Sequence, residues 1–394
     1  IENVAVGLSA LRVNSTANNN VAIGKSALEV NTTGANNTGV GYKALGANLT
    51  GTQNTALGAS ALDANTTANN NTAVGYGSLG ANTTGAGNTS LGHNSMTINT
   101  TGAQNVALGM QTLFHNNADN NVAVGHYALE SNTSGTELVA VGKSALDANT
   151  TASSCTAVGF ESLLSNTTGI RNTAVGRKAL RLITTGQQCT AVGQAALANN
   201  TGSNNTAVGH DAMVALTSGV NNLAVGALAG SAMTEGNNNV SVGKDANTTT
   251  TTGSNIICIG NVAEPTSATA ANQITLGNSS IQTLRCQVQT ISALSDERDK
   301  TDIVDSEDGL NLINLLKVRK FTWSMREPSD NDGKTELGFV AQELDEVLGT
   351  KNDYIHAVLK DNPNKLEAAY GRFIPIMVKA IQELSAKVTA LETA

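Results

Sequence analysis

Side chains able to do chemistry are sparse along the 394 residues and gather in two places. The first is the position after a recurrent glycine, which carries Lys25, Tyr42, Tyr76, His93, His126, Lys143, Phe160, Arg177, His210 and Lys244. Aromatic rings with hydrogen-bonding partners are what receptor surfaces contact. Tyr42, Tyr76, His93, His126 and Phe160 therefore form a candidate stripe for a glycan or protein receptor, set against the plainer reading of a tolerant solvated face. The second place is the charged stretch from Ser295 to Ile303, with Asp296, Arg298 and Lys300 inside it. Taken alone, Ser295-Asp296 reads as the cap of a helix.

Much other chemistry is excluded. A glycosidase needs paired carboxylates, and the acids of the first three-quarters of the chain are too scattered to nominate a pair. There is no phosphate loop, no spacing suited to a metal, and no basic patch for nucleic acid. No cofactor is implied. Cys155 and Cys189 occupy equivalent repeat positions two repeats apart, roughly 9.6 Å at strand spacing, which is beyond disulfide reach. Cys258 falls in a column of small residues and Cys286 in a transition segment, so reduced, packed cysteines are expected. The Asn-x-Thr sequons follow from the repeat and are not read as glycan acceptors. No apolar run approaches the eighteen or so residues of a membrane-spanning helix. The chain opens at Ile1 in mid-repeat, without Met or a signal peptide, so an N-terminal anchor is expected upstream.

The elements that hold these residues are set by repetition. Seventeen glycines from Gly7 to Gly277 recur at fourteen intervals of 17 residues and two of 16. So strict a period defines a stacked solenoid. Before each glycine stands Val, Leu or Ile (Val6, Ile23, Val40, Leu57, Val74), and before that a small residue (Ala5, Ala22, Gly39, Ala56, Ala73). Neighbours on a strand point to opposite faces. The branched ladder is expected to fill the core, and the small ladder to admit another backbone, so that the rod packs there against copies of itself. A second apolar mark, four residues after the glycine (Leu28, Leu45, Leu62, Leu79, Met96), predicts a second short strand per coil. Turns such as Asn82-Thr83-Thr84-Gly85 use residues that tolerate left-handed conformations. Asn recurs four residues before the glycine (Asn3, Asn20, Asn37, Asn54, Asn71, Asn88), which predicts an asparagine ladder. Seventeen residues are too few for a strand–helix repeat, so the coil is a narrow β-roll. Sixteen steps of about 4.8 Å give a rod of roughly 75–80 Å.

Residues 1–225 are regular. In 226–290 the second apolar mark fails at Gly230, Asn247 and Glu264, and the segment reads as irregular terminal repeats and a neck, with a last strand over 281–288. The net charge is −8, unevenly shared: residues 1–290 carry 10 Lys+Arg and 12 Asp+Glu, whereas 291–394 carry 13 and 19. Past 290 the pattern predicts a helix from Leu310 to Leu316, a strand from Val318 to Trp323, and a strand running into a helix over Gly338–Val347. Trp323 and Phe321 are placed in the core of a small α+β domain. Ile374, Met377, Ile381, Leu384, Val388 and Leu391 are spaced 3, 4, 3, 4, 3, a coiled-coil seam opening at or just after Pro375. Such a seam leans towards dimers in isolation and does not by itself establish a trimer.

Three motifs in order carry a resemblance: Ser295-Asp296-x-Arg298-x-Lys300; Gly338-x-x-Ala341-Gln342-Glu343; and Tyr370, followed by Pro375 and Ala380-Ile381-x-Glu383-Leu384. Over roughly 291–394 the chain resembles the C-terminal intramolecular chaperone domain of phage tailspikes and tail fibres, the self-cleaving module of endosialidase tailspikes. The rod more loosely resembles the head repeats of trimeric bacterial adhesins, without their membrane-anchoring barrel. The first resemblance implies that Ser295 is a nucleophile on an adjacent peptide bond and Lys300 its general base. That role is chemically coherent, since Ser needs a base and Lys can serve when burial lowers its pKa. Five residues is the wrong spacing for one helix face, so a turn or contacts between copies must bring the pair together.

The expectation is a mainly β protein: a homotrimeric β-solenoid shaft followed by an α+β chaperone domain that ends in a coiled-coil helix. Near-identical coils specify their alignment weakly, and a non-repetitive module that trimerises would set the chains level before cutting itself away. The implied function is that of a virion tail fibre, on the outer side of the host during attachment. Its partners are its own copies and a cell-surface receptor, a glycan or an outer-membrane component. A polysaccharide-degrading tailspike and a bacterial adhesin are the alternatives. An ice-binding rod is disfavoured, because no two-column Thr face shows.

Overall fold

The computed structural model describes residues 2–281, 283–285, 295–324, 333–360 and 366–393. The chain divides into two units, Ile1–Leu276 and Gly277–Ala394. The first is a parallel β-solenoid. Fifteen three-residue strands, β1 (Val4–Val6) to β15 (Val240–Val242), are followed by β16 (Ser254–Ile259) and β17 (Ala271–Leu276). Each strand pairs with the next in strict register, Ala22 beside Gly39 and Ala73 beside Ser90.

The strand's inside and outside are the reverse of the expectation. Its small middle residue faces inward, and Ala22, Ala56, Ala73 and Ala107 are fully buried. The branched ladder faces out: Val6, Ile23, Leu57, Leu91 and Val141 are all more than a third exposed. A 17-residue coil encloses too little space for two large layers, and the Leu of the second mark takes it. The backbone that the small ladder admits belongs to its own coil, since a Cβ built on Gly39 would sit 3.0 Å from the Ala44 carbonyl oxygen.

That second mark is not a strand either. Leu28, Leu45, Leu62 and Leu79 are fully buried, with φ between 48° and 54°, in the left-handed region. Such a conformation is costly for a residue with a Cβ and persists only where its surroundings impose it. Here the stack does so, through bonds such as Leu28 N–H to the Ala44 carbonyl at 3.0 Å.

The recurrent glycines from Gly7 to Gly260 have φ between 127° and 148°, and a Cβ on Gly75 would lie 2.5 Å from the Gly92 carbonyl oxygen of the next coil. The turn glycine Gly85 differs. Its backbone lies outside the left-handed region, and it is glycine because a Cβ would meet the Gly102 oxygen at 2.2 Å.

The expected asparagine ladder is present. Asn88 N–H donates to Asn71 Oδ1 (2.9 Å), Asn105 N–H donates to Asn88 Oδ1 (3.0 Å), and Asn88 Nδ2 donates to the Gly102 carbonyl (2.8 Å). A second buried ladder runs through the turn asparagines, Asn48 Nδ2 to Asn31 Oδ1 at 2.7 Å and Asn65 Nδ2 to Asn48 Oδ1 at 2.8 Å. The parallel ladder continues unbroken to Leu276. Where Gly230 replaces the core Leu, Met233 of the same coil is fully buried, its Cε 3.5 Å from where a Gly230 Cβ would stand. Of the strand expected over 281–288, residues 281 and 283–285 are in no strand, and the rest, Cys286 included, lie outside the described residues.

The second unit holds α1 (Leu310–Ile313), the antiparallel pair β18 (Arg319–Thr322) and β19 (Thr335–Gly338), α2 (Ala341–Leu348), α3 (Asn352–Ile355), the pair β20 (Val358–Leu359) and β21 (Glu367–Ala368), and α4 (Ile374–Glu392). Its core is Leu312, Leu344, Leu348, Ile355, Ala357, Val358, Phe373 and Ile376. Trp323 and Phe321 are not in it. They meet edge to face at 5.2 Å, Phe321 half-buried and Trp323 more than a third exposed, and Trp323 Nε1 donates to Glu336.

Replacing Asn88 by Ala strands the Asn105 amide and the Gly102 carbonyl in a dry interior, a loss of about 2–4 kcal/mol. The denaturation midpoint of the solenoid should fall and amide exchange should quicken in the flanking coils, whereas Asn3→Ala at the half-exposed end of the column should leave both nearly unchanged.

Candidate functional site

Asp296 opens a single 3-10 turn, Glu297–Asp299, by accepting from Arg298 N–H at 2.9 Å. The Arg298 guanidinium returns to the same carboxylate, Nε to Oδ1 at 2.9 Å and Nη2 to Oδ2 at 2.6 Å, and holds it below the usual carboxylate range. The turn closes with Lys300 N–H on the Glu297 carbonyl. Its effect is to fold the chain back, so that Lys300 Nζ stands 2.6 Å from Ser295 Oγ and 3.3 Å from the Ser295 carbonyl oxygen. The cap and the Ser–Lys pair are thus compatible: Asp296 makes the cap and leaves Ser295 to the lysine.

A hydroxyl within hydrogen-bond reach of an amine is the geometry for proton removal from a nucleophile. Both residues are exposed in the single chain. A lysine acts as base once burial weakens its hold on the proton. The residue before Ser295 lies outside the described residues.

The second motif is built into the packing. A Cβ on Gly338 would fall 2.6 Å from Tyr370 Oη, which also accepts from Phe339 N–H at 3.2 Å. Ala341 begins α2 and packs on the core, while Gln342 is exposed. Glu343 makes a bidentate pair with Arg319 of β18, Nη2 to Oε1 at 2.7 Å and Nε to Oε2 at 3.0 Å, which ties α2 to the hairpin and lowers the carboxyl's affinity for a proton. In the third motif Ala380 is buried, and Glu383 Oε2 accepts from Leu310 N–H at 2.8 Å, so α4 caps α1.

Sequence reasoning passed over Asp308. Its buried carboxylate receives Lys351 Nζ and Tyr354 Oη. The available signals were Ser306-Glu307-Asp308-Gly309 ahead of a helix, a start signature, and Lys351 three residues from Tyr354 on one face.

On α4, flanking the buried Ile376 and Ala380, run Ile374, Met377, Ile381, Leu384, Val388 and Leu391, every one of them more than 40% exposed. Along the solenoid the column after the glycine stacks from coil to coil in places. Tyr76 and His93 lie 5.5 Å apart with rings 16° from parallel, and Arg177 sits over Phe160 at 5.9 Å. Tyr42 pairs with Lys43, and His126 turns onto Tyr127 of its own coil.

Residues 295–352 match the family model described as the chaperone of endosialidase. The matched span starts at Ser295, takes in Lys300, Asp308, Gly338 and Glu343, and ends before Tyr370 and α4. No curated protein matches the chain. A long parallel β-solenoid followed in sequence by such a segment is consistent with a tail-fibre- or tailspike-like architecture. Within that class the similarity is to the endosialidase type.

For Asp308, burial alone would raise the carboxyl's pKa, and the bonds from Lys351 and Tyr354 outweigh it and bring it below the usual range. A depressed carboxyl contributes stability that is complete above about pH 4 and is lost as pH falls through its lower folded value. The chain's one Trp, Trp323, lies in this unit. Its fluorescence should report a melting temperature that drops below about pH 4, and Asp308→Asn should flatten that drop and lower stability at pH 7.

Proposed function

We propose that this chain is a homotrimeric virion attachment fibre whose C-terminal unit assembles three copies and is then released by autoproteolysis at Ser295. The observation that carries this reading is the 2.6 Å contact between Ser295 Oγ and Lys300 Nζ, at the first residue of the segment similar to the chaperone of endosialidase. In the cleavage step Lys300 takes the hydroxyl proton, Oγ attacks the adjacent peptide carbonyl, and the amine leaves with the proton before water releases the acyl group. Because the pair is exposed in one chain, burial by neighbouring copies is what would make the lysine a base. Cleavage therefore follows assembly.

Two surfaces support self-association. The apolar seam of α4 is exposed along its length. The outward strand face of the solenoid is apolar along one column from Val6 to Leu276. Three-residue strands about 10 Å wide, stacked sixteen steps at about 4.8 Å, present on the order of 770 Å², close to the roughly 800 Å² per partner of a stable interface. Attachment to a cell-surface glycan or outer-membrane component rests on the column's exposed Tyr42, Tyr76, His93 and Phe160, with His126 half-buried against Tyr127.

Wild-type protein should run on a denaturing gel as two fragments divided near residue 295, and Ser295→Ala and Lys300→Met as one intact band. An intact wild-type band would remove the protease role. On the Ser295→Ala background, Leu384→Asp replaces an exposed seam residue and should lower the fraction of trimer in sedimentation with the fold of each unit unchanged; an unchanged trimer fraction across a dilution series would exclude the seam from assembly.

A further inference from the structure

The outward face has a second column, two residues before the branched ladder, and it is not monotonous. It opens apolar with Val4 and Val21, is Thr in the four coils from Thr38 to Thr89, and is Val in the three from Val106 to Val139. It is Thr again in the four from Thr156 to Thr206, and apolar from Leu223 onward. These side chains stand outside the coil's own core, so nothing within the coil demands the alternation. We infer that the bands are a register code read between copies of this chain, each Thr band seated against the Thr band of its neighbour and each apolar band against its like.

The inference rests on the proposed packing of copies through this strand face. A rotation axis along the stack sets every residue level with its own copy. At matched levels Thr hydroxyls meet Thr hydroxyls and can bond across the interface, while Val meets Val. A slip of one coil breaks the match at four borders, Val21/Thr38, Thr89/Val106, Val139/Thr156 and Thr206/Leu223, and leaves a hydroxyl without a partner at each. Slips of two to five coils mismatch at more levels still, whereas a slip of seven coils restores the bands at all but one level, Thr156 against Ile274, and forfeits seven coils of overlap. The solenoid thus carries its own alignment signal, in addition to any supplied by the C-terminal unit.

The test uses the full chain in two differently tagged forms. One is wild type; the other exchanges adjacent bands without altering composition (Val106→Thr, Val122→Thr and Val139→Thr with Thr156→Val, Thr173→Val and Thr190→Val). Each should assemble alone with equal yield, and on co-expression tandem purification should find mixed assemblies depleted at least about tenfold below random mixing. If the exchanged chain does not assemble alone, the smaller exchange of Val139→Thr with Thr156→Val takes its place, with a lesser depletion expected. Thr72→Cys in each form, treated with a short bifunctional thiol reagent, reports the face itself, and Thr84→Cys in a turn is its control. Cross-linking at 72 with random mixing would overturn the code and leave the face standing. Absence of cross-linking at 72 would overturn the face, and the code with it.

Discussion

A single spacing governs the solenoid: each coil must present its backbone, its glycine and its buried asparagines to the next at the distance between hydrogen-bonded strands. The Gly75 position admits no Cβ because the Gly92 carbonyl is already there, and Gly85 is caught in the same way by Gly102. Asn71, Asn88 and Asn105 satisfy one another's amides up the interior. Sequence monotony is the cost of this arrangement, since a residue suited to one level is suited to all. It leaves chemistry to the outer surface and to the second unit, whose composition is different.

That division was legible in the sequence. The period located every strand of the solenoid, though it also suggested a second strand per coil that does not form, and the change in charge density marked where the pattern ends. Alternation along a strand, however, says only that two faces exist, not which one is inside. The branched residues looked like core by hydropathy, yet the volume of a narrow coil decided otherwise once Leu28 and its equivalents had entered from the opposite wall. Their left-handed backbone could not have been read from residue type, because leucine adopts it only under duress from its neighbours. The same limit applies to Trp323, assigned to a core on hydrophobicity and found more than a third exposed beside a two-stranded hairpin.

At the site, the motif supplied the residues but not the way they meet. Ser295 and Lys300 come together because Asp296 and Arg298 fold the intervening segment into a single tight turn, so two residues that touch nothing reactive set the distance between two that could react. Gly338, Glu343 and Glu383 are framework by the same measure: each fixes the position of a helix against a neighbour. Asp308 escaped notice because its partners lie more than forty positions away.

The two 16-residue coils carry a consequence for how such a chain changes over time. In both, the missing residue is taken from the Thr turn, where Asn116 Nδ2 reaches the carbonyl two residues on instead of three, and Asn200 does likewise. The strands on either side remain in register. Since a coil bonds only to its immediate neighbours, gain or loss of one whole coil by unequal recombination within the gene would lengthen or shorten the shaft by about 4.8 Å and require no compensating change elsewhere. Reach is then a heritable dimension adjusted in whole increments.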